Sequence, residues 1–315
     1  MPTYRPTFVF CMNTTNSYRR YTWFVLIMVF LVIIAGGVVR MTQSGMGCPD
    51  WPRCFGRWVP PVSANQLPAD YEKYLKTQDI DHSFNAYHTW IEYINRLLGA
   101  LLGVFIVIHF VWSLRLFRKS NKQIVLLSLL MLLGVGFQGW LGKKVVDANL
   151  AVVKVTVHML MALVLAALPV IIISKLRGLK IPADKWVKNL SVITLLLLII
   201  QIILGTEVRS QIDQIAKPLD YGQRETWMSQ LDNVFLIHRS FSWIVAIACV
   251  LLYKKSQSLI PLRSHRWLIL SLISLSLITG IVMYYLNIPA LAQPIHLFSA
   301  SVLAITLFSF RLQLK

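Results

Sequence analysis

The chain has 315 residues, 56% of them hydrophobic and 14% charged, with a mean hydropathy of +0.62. A soluble domain carries roughly 25% charged residues, so this composition excludes an ordinary soluble globule. The formal net charge of +18 raises nucleic acid as a partner, but the cations lie in short clusters between apolar runs and no basic patch with interleaved aromatics occurs, so nucleic-acid binding is set aside.

Crossing a hydrocarbon core of roughly 30 Å takes about 20 apolar residues in a helix. Eight such runs occur, at about 21–40, 93–114, 123–142, 152–174, 189–208, 234–253, 266–286 and 294–312. In lipid each backbone group must be satisfied within its own span, so these are helices. The predicted fold is an all-α integral membrane protein, its eight transmembrane helices forming two pseudo-symmetric four-helix bundles. The first apolar stretch is longer than the 7–15 residues of a signal-peptide core and is read as a retained span.

The cations Arg19 and Arg20, Arg115 to Lys122, Lys175 to Lys188, Lys254 to Arg266, and Arg311 with Lys315 all fall on one side of the predicted spans. The positive-inside rule makes that side cytoplasmic and places both termini there, in a multi-pass protein of the cell inner membrane whose solvent is membrane lipid. The other side carries Asp50, Asp70, Glu72, Asp79, Asp81, Asp147, Asp213, Asp220, Glu225 and Asp232.

The chain repeats itself. Gly36-Gly37-Val38-Val39-Arg40 closes span one and Gly205-Thr206-Glu207-Val208-Arg209 closes span five. Ile94-Asn95-Arg96 opens span two and Ile237-His238-Arg239 opens span six, while His158 and His296 open spans four and eight. Duplicated parallel repeats related by an axis along the membrane normal are the expectation. The predicted organisation is a cytoplasmic segment 1–20, an N-terminal half 21–175 with a large outer loop 41–91, a linker 176–188 and a C-terminal half 189–315.

Asn95, His158, His238 and His296 are predicted near the outer ends of four parallel helices, at similar depth. Histidine in a membrane span is a functional-site hypothesis by default, and paired imidazoles are axial ligands of haem iron. His238 and His296 form the stronger pair, because they recur at matching places of the repeat; the bland reading is one interhelical hydrogen bond each. Asparagine is a poor ligand for haem iron, so the Asn95–His158 site offers a single strong one. Arg96 and Arg239 lie at the outer rim, where guanidinium suits haem propionates, or where both simply snorkel. Glu92 shares a helix face with Asn95 and is a candidate base or charge stabiliser, or an interfacial residue of the first turn. His88, about two turns before Asn95, is a secondary ligand candidate; His82 and His265 read as solvated, and His109, roughly 21 Å deeper than Asn95, as structural. Glu207 is expected to pair with Arg209 or Arg40. Cys48 and Cys54 lie in the first outer loop, where an oxidising compartment permits a disulfide; Cys11 and Cys249 read as inert.

These residues resemble the haem A synthase family, whose members oxidise haem O to haem A for cytochrome oxidase. The resemblance rests on Gly36 to Gly45, the cysteine-bearing Gly47 to Gly56, Glu92-Tyr93-Ile94-Asn95-Arg96, His158, Ile237-His238-Arg239 and His296, and covers nearly the whole chain. It implies a haem b cofactor between His238 and His296, with Arg239 beside it. It implies a substrate haem O in the N-terminal half, with His158, Asn95 and Arg96 around it and Glu92 as the essential glutamate. Asn95 stands where the family has a second histidine. The cysteine pair marks one branch of the family, in which a disulfide is inferred; the matching pair of the third outer loop is absent. Implied partners are haem O synthase and cytochrome oxidase assembly, with a homo-oligomer left open. Two other classes fit the residues alone: a non-catalytic b-type electron carrier or haem-binding assembly protein, and a transporter using its histidines as a proton relay.

Overall fold

The computed structural model describes residues 6–72, 84–219 and 221–315, with side chains of the first helix described from Thr14 onward. Cys11, Asp79, Asp81, His82 and Asp220 lie outside the described residues or side chains. Eight long helices carry the chain: α1 Pro6–Met41, α2 Ala86–Phe117, α3 Lys122–Asp147, α4 Val152–Arg177, α5 Lys185–Ala216, α6 Asn233–Lys255, α7 Arg263–Tyr285 and α8 Ala292–Gln313. All eight are long and apolar enough to cross a membrane. Among the described residues no strand forms, only the isolated bridges Cys54–Arg57 and Ile181–Leu314.

Each apolar run forms a helix, and most helices extend past it. Capping explains several of the extensions. Asn85 accepts hydrogen bonds from the amides of Tyr87 and His88, so α2 starts earlier than the apolar run and takes His88 out of the outer loop. Asp184 and Asp232 cap α5 and α6 in the same way. Gly178, at φ +64°, ends α4 in the left-handed conformation that glycine adopts without strain. At its other end α5 runs on to Ala216, into the segment expected to be loop; there Val208, Ile212 and Ala216 are buried with Trp227 and Ile288.

α1 packs on α2 and α4, and α3 on α2 and α4, so the first four helices close a ring in which α2 and α4 are diagonal. α5 packs on α6 and α8, and α7 on α6 and α8, so the last four close a second ring with α6 and α8 diagonal. The rings meet where α8 touches α1 and α4, and where α4 touches α5. One buried cluster gathers Tyr18, Val25, Ile106, Met131 and Ala166, and takes Ile305 from α8. The other gathers Leu198, Val245, Ile269, Leu303 and Phe310, and takes Leu163 from α4. Outward residues such as Val104, Leu133, Ile247 and Ile278 are exposed, as lipid contact requires.

Candidate functional site

His238 and His296 come together across the second ring, their ring centres 6.5 Å apart and their planes at 64°. Both are held from behind. A Cβ on Gly205 would stand 3.1 Å from His238 Cε1, and one on Gly280 3.7 Å from His296 Cε1, so glycine lets each imidazole lie against a neighbouring helix. Gln201 Nε2 donates to the His238 carbonyl at 3.0 Å, and Ser299 Oγ, itself 2.7 Å from Ser276 Oγ, donates to that of His296. Thr279 Oγ1 lies 2.9 Å from His296 Nδ1, which leaves Nε2 as the nitrogen able to take a metal. His238 Nδ1 and Gln201 Oε1 are buried without a hydrogen-bond partner.

Two imidazoles on one iron place their ring centres roughly 6 Å apart, from about 2 Å per metal–nitrogen bond and about 1 Å from nitrogen to ring centre. The observed 6.5 Å fits a haem iron between them. The donor set fits too. Among the described residues no three His, Cys, Asp or Glu side chains gather as a bare-ion site, whereas a tetrapyrrole brings its own equatorial nitrogens.

The first ring carries half of this arrangement. A Cβ on Gly142 would stand 3.5 Å from His158 Cε1, Gln138 Nε2 donates to the His158 carbonyl at 2.9 Å, and His158 Nδ1 is buried without a partner. On the diagonal helix stands Asn95, its Oδ1 also buried without a partner. The paired helix–glutamine–glycine pattern, Gln138 with Gly142 and Gln201 with Gly205, is visible as an i, i+4 spacing in the sequence, yet these glutamines were not singled out there.

The first outer loop folds onto α2. Cys48 and Cys54 form a disulfide, with Cα atoms 4.9 Å apart and both residues fully buried. Glu92, 4% exposed, accepts from the Cys48 amide at 2.8 Å through Oε2 and from Arg96 Nη2 at 2.5 Å through Oε1. Arg96 also donates to the carbonyls of Cys48, Asp50 and Arg53. The sequence leaves Arg96 at the outer rim, either facing haem propionates or snorkelling. Its terminal nitrogens are instead spent on loop carbonyls and Glu92, because the loop returns to the first turns of α2. Arg239 differs: exposed, it lies over the rings of Phe235 and Tyr284, 5.9 and 5.7 Å from their centroids.

Gly47 explains how the loop comes so close. A Cβ there would meet the His88 carbonyl carbon and oxygen at 2.5 Å and the Thr89 nitrogen at 2.7 Å, all backbone atoms of a helix that cannot give. Gly47→Ala is therefore expected to lift the loop from α2 at a cost of about 1–3 kcal/mol, the scale of overpacking. Thermal unfolding of the detergent-solubilised protein measures it, and an unchanged midpoint would contradict the close approach.

Three expectations are corrected. Glu207 is exposed and makes no ion pair among the described residues; Asp213, one turn past Arg209, takes both Arg40 (2.6 Å) and Arg209 (2.8 Å). Arg209 also donates to Gln293 and to the Arg40 carbonyl, so this cluster joins α1, α5 and α8. Asp213 lies beyond the apolar run 189–208, in the turns by which α5 extends past it. His265 is half-buried rather than solvated, 3.1 Å from Ser309 Oγ and 2.9 Å from Gln313 Nε2, because the start of α7 packs on the end of α8. His88 stands on α2, its backbone pressed by Gly47, rather than in a loop. His109 is buried between Tyr18 and Thr22 Oγ1, the latter 3.1 Å from Nε2.

Comparison with known proteins gives a consistent picture. Residues 19–308 match the family model described as cytochrome oxidase assembly protein. A heme A synthase from Wolbachia pipientis wMel is 28% identical over 84% of this chain and 83% of its own length. One from Nitrosospira multiformis is 26% identical, covering 85% of each chain. One from Shewanella oneidensis is 31% identical over a shorter stretch, 58% of this chain and 55% of that protein. The matched residues reach into all eight membrane helices, and the chain belongs to the cytochrome oxidase assembly protein family.

Proposed function

We propose that this chain is a haem A synthase. It oxidises a ring methyl of haem O, through a hydroxymethyl stage, to a formyl group, and so supplies haem A for cytochrome oxidase. The observation that carries the reading is the His238–His296 pair at 6.5 Å, on diagonal helices and backed by glycines. The relatives named heme A synthase support it across most of the chain.

The two helix rings support a division of labour: a C-terminal half for haem b and an N-terminal half for the substrate, related by duplication. Haem b, when bound, supplies one-electron transfer. His238 and His296 hold it; Thr279 fixes the tautomer and orientation of His296, and Gln201 anchors the turn that carries His238. Arg239, exposed at the start of α6, is placed to receive a propionate carboxylate.

In the N-terminal half His158 binds the substrate haem. Glu92 is the charged group beside it, its carboxylate orientated by the Cys48 amide and Arg96. Arg96 acts through Glu92 and the disulfide loop, as a positioning residue. The cation clusters support a multi-pass placement in the inner membrane with both termini cytoplasmic. A haem O synthase is the implied source of substrate, and cytochrome oxidase assembly the implied consumer of product.

Expression in a host that makes haem O, followed by chromatography and mass spectrometry of extracted haems, tests the reading. The expected result is haem A or its hydroxymethyl precursor. Haem B alone, with haem O untouched, would move the chain to the electron-carrier class; a colourless protein would move it to the transporter class.

A further inference from the structure

The chain's own repeat sets Asn95-Arg96 where the second half has His238-Arg239, and Gly36 where it has Gly205. The surroundings differ at these matching places. A Cβ on Gly205 would run into the His238 ring at 3.1 Å, whereas one on Gly36 would meet nothing within 4 Å. The asparagine side chain is shorter than an imidazole, and its Oδ1 is buried without a hydrogen-bond partner. Such a buried acceptor costs roughly 1–3 kcal/mol unless something satisfies it.

The opposite side of the same ring is built like a ligand position. His158 has a glycine behind it, a glutamine on its carbonyl and a buried ring nitrogen. Among the described residues no other imidazole replaces the missing one at that depth. His88 is seven residues from Asn95, about 10 Å along the helix, and His109 is engaged with Tyr18 and Thr22. A carboxamide is a hard, weak donor to haem iron, but a good hydrogen-bond partner for something bound to it. Polarity and hydrogen bonding on the open side of a haem decide what small ligand the iron takes.

We propose that the N-terminal half offers haem iron one imidazole, His158, and that the iron's other side, toward Asn95, takes a small exogenous ligand, a diatomic molecule or water, held by the Asn95 carboxamide. The proposal rests on the reading of His158 as a haem ligand. It makes this half chemically unlike the other: the His238–His296 site is closed to exogenous ligands and the Asn95–His158 site is open to one.

Carbon monoxide is the probe. The full chain, purified in detergent with both halves loaded with haem O or haem B, is reduced and titrated with carbon monoxide, and its oxidised form is examined by electron paramagnetic resonance. One haem per chain is expected to bind carbon monoxide and to show a high-spin ferric signal, beside one low-spin haem that binds none. Asn95→His is expected to turn the high-spin signal low-spin and to weaken carbon monoxide binding at least tenfold. The unchanged low-spin haem of the other half serves as the internal check that this variant has folded. Asn95→Ala is expected to keep carbon monoxide binding while speeding its dissociation.

Two low-spin haems and no carbon monoxide uptake in the wild type would overturn the proposal, as would a chain that takes up one haem only. So would a high-spin signal that persists in Asn95→His, or one that appears in the wild type only after His88→Ala. Failure of the parent reading looks different: His158→Ala would then leave the carbon monoxide-binding haem in place.

Discussion

His238→Ala or His296→Ala is expected to remove the haem b absorbance of the purified protein, lowering haem b per chain at least about tenfold, since even an outer-shell partner of a metal ligand is worth 10–100-fold in affinity. In the proposed haem b site each histidine would be one of the two protein ligands, and the ring separation of 6.5 Å leaves no slack for another side chain to reach across. In His238→Ala, Thr279 still holds the remaining His296 ring, and in both variants Gly205 and Gly280, which lie behind the two imidazoles, are unchanged. The measurement is the reduced-minus-oxidised spectrum with pyridine haemochrome quantification. Unchanged spectra in both variants would defeat the assignment of this pair.

Glu92→Gln is expected to keep haem b and to reduce conversion of haem O by about 100-fold or more, the lower end of what a positioned acid–base or charged group contributes. Glutamine keeps the shape and can still accept from the Cys48 amide, so the loop stays on α2. What disappears is the negative charge opposite Arg96, in a pair whose side chains are 5% and 13% exposed. Breaking such a pair from one side costs roughly 3–5 kcal/mol in buried settings, an upper bound here because Arg96 keeps three carbonyl acceptors. Haem b content therefore separates the two effects. Product loss with haem b retained is chemical, loss of both is structural, and wild-type conversion would rule out the role. Arg96→Gln, which releases four bonds to the loop and Glu92 together, is expected to lower thermal stability as well as conversion.

The membrane helices were legible because their signal is local. About 20 apolar residues are recognisable wherever they pack, and the positions of His158, His238 and His296 within their spans followed from counting along each run. The short motifs at matching ends of spans one and five, two and six, and four and eight are local in the same way. The helix ends were less so, because caps such as Asn85 and tertiary contacts such as those burying Ile212 extend helices beyond the apolar window.

What the sequence determined by itself is an eight-span membrane protein with three histidines and one asparagine at matching places. The tertiary structure alone decided which groups meet. It closed each set of four helices into a ring, and in the second ring it brought His238 and His296 together from diagonal helices. It brought the Cys48–Cys54 loop down on α2, making Glu92 a buried carboxylate clasped by a backbone amide and Arg96. It gave Arg40 and Arg209 to Asp213 rather than to Glu207, and His265 to Ser309 and Gln313 rather than to water. The physical reason is common to all of these. Periodicity fixes which face a residue occupies on its own helix, but the partner of a buried charge or imidazole is set by packing between segments far apart in the chain, which spacing along one helix does not encode.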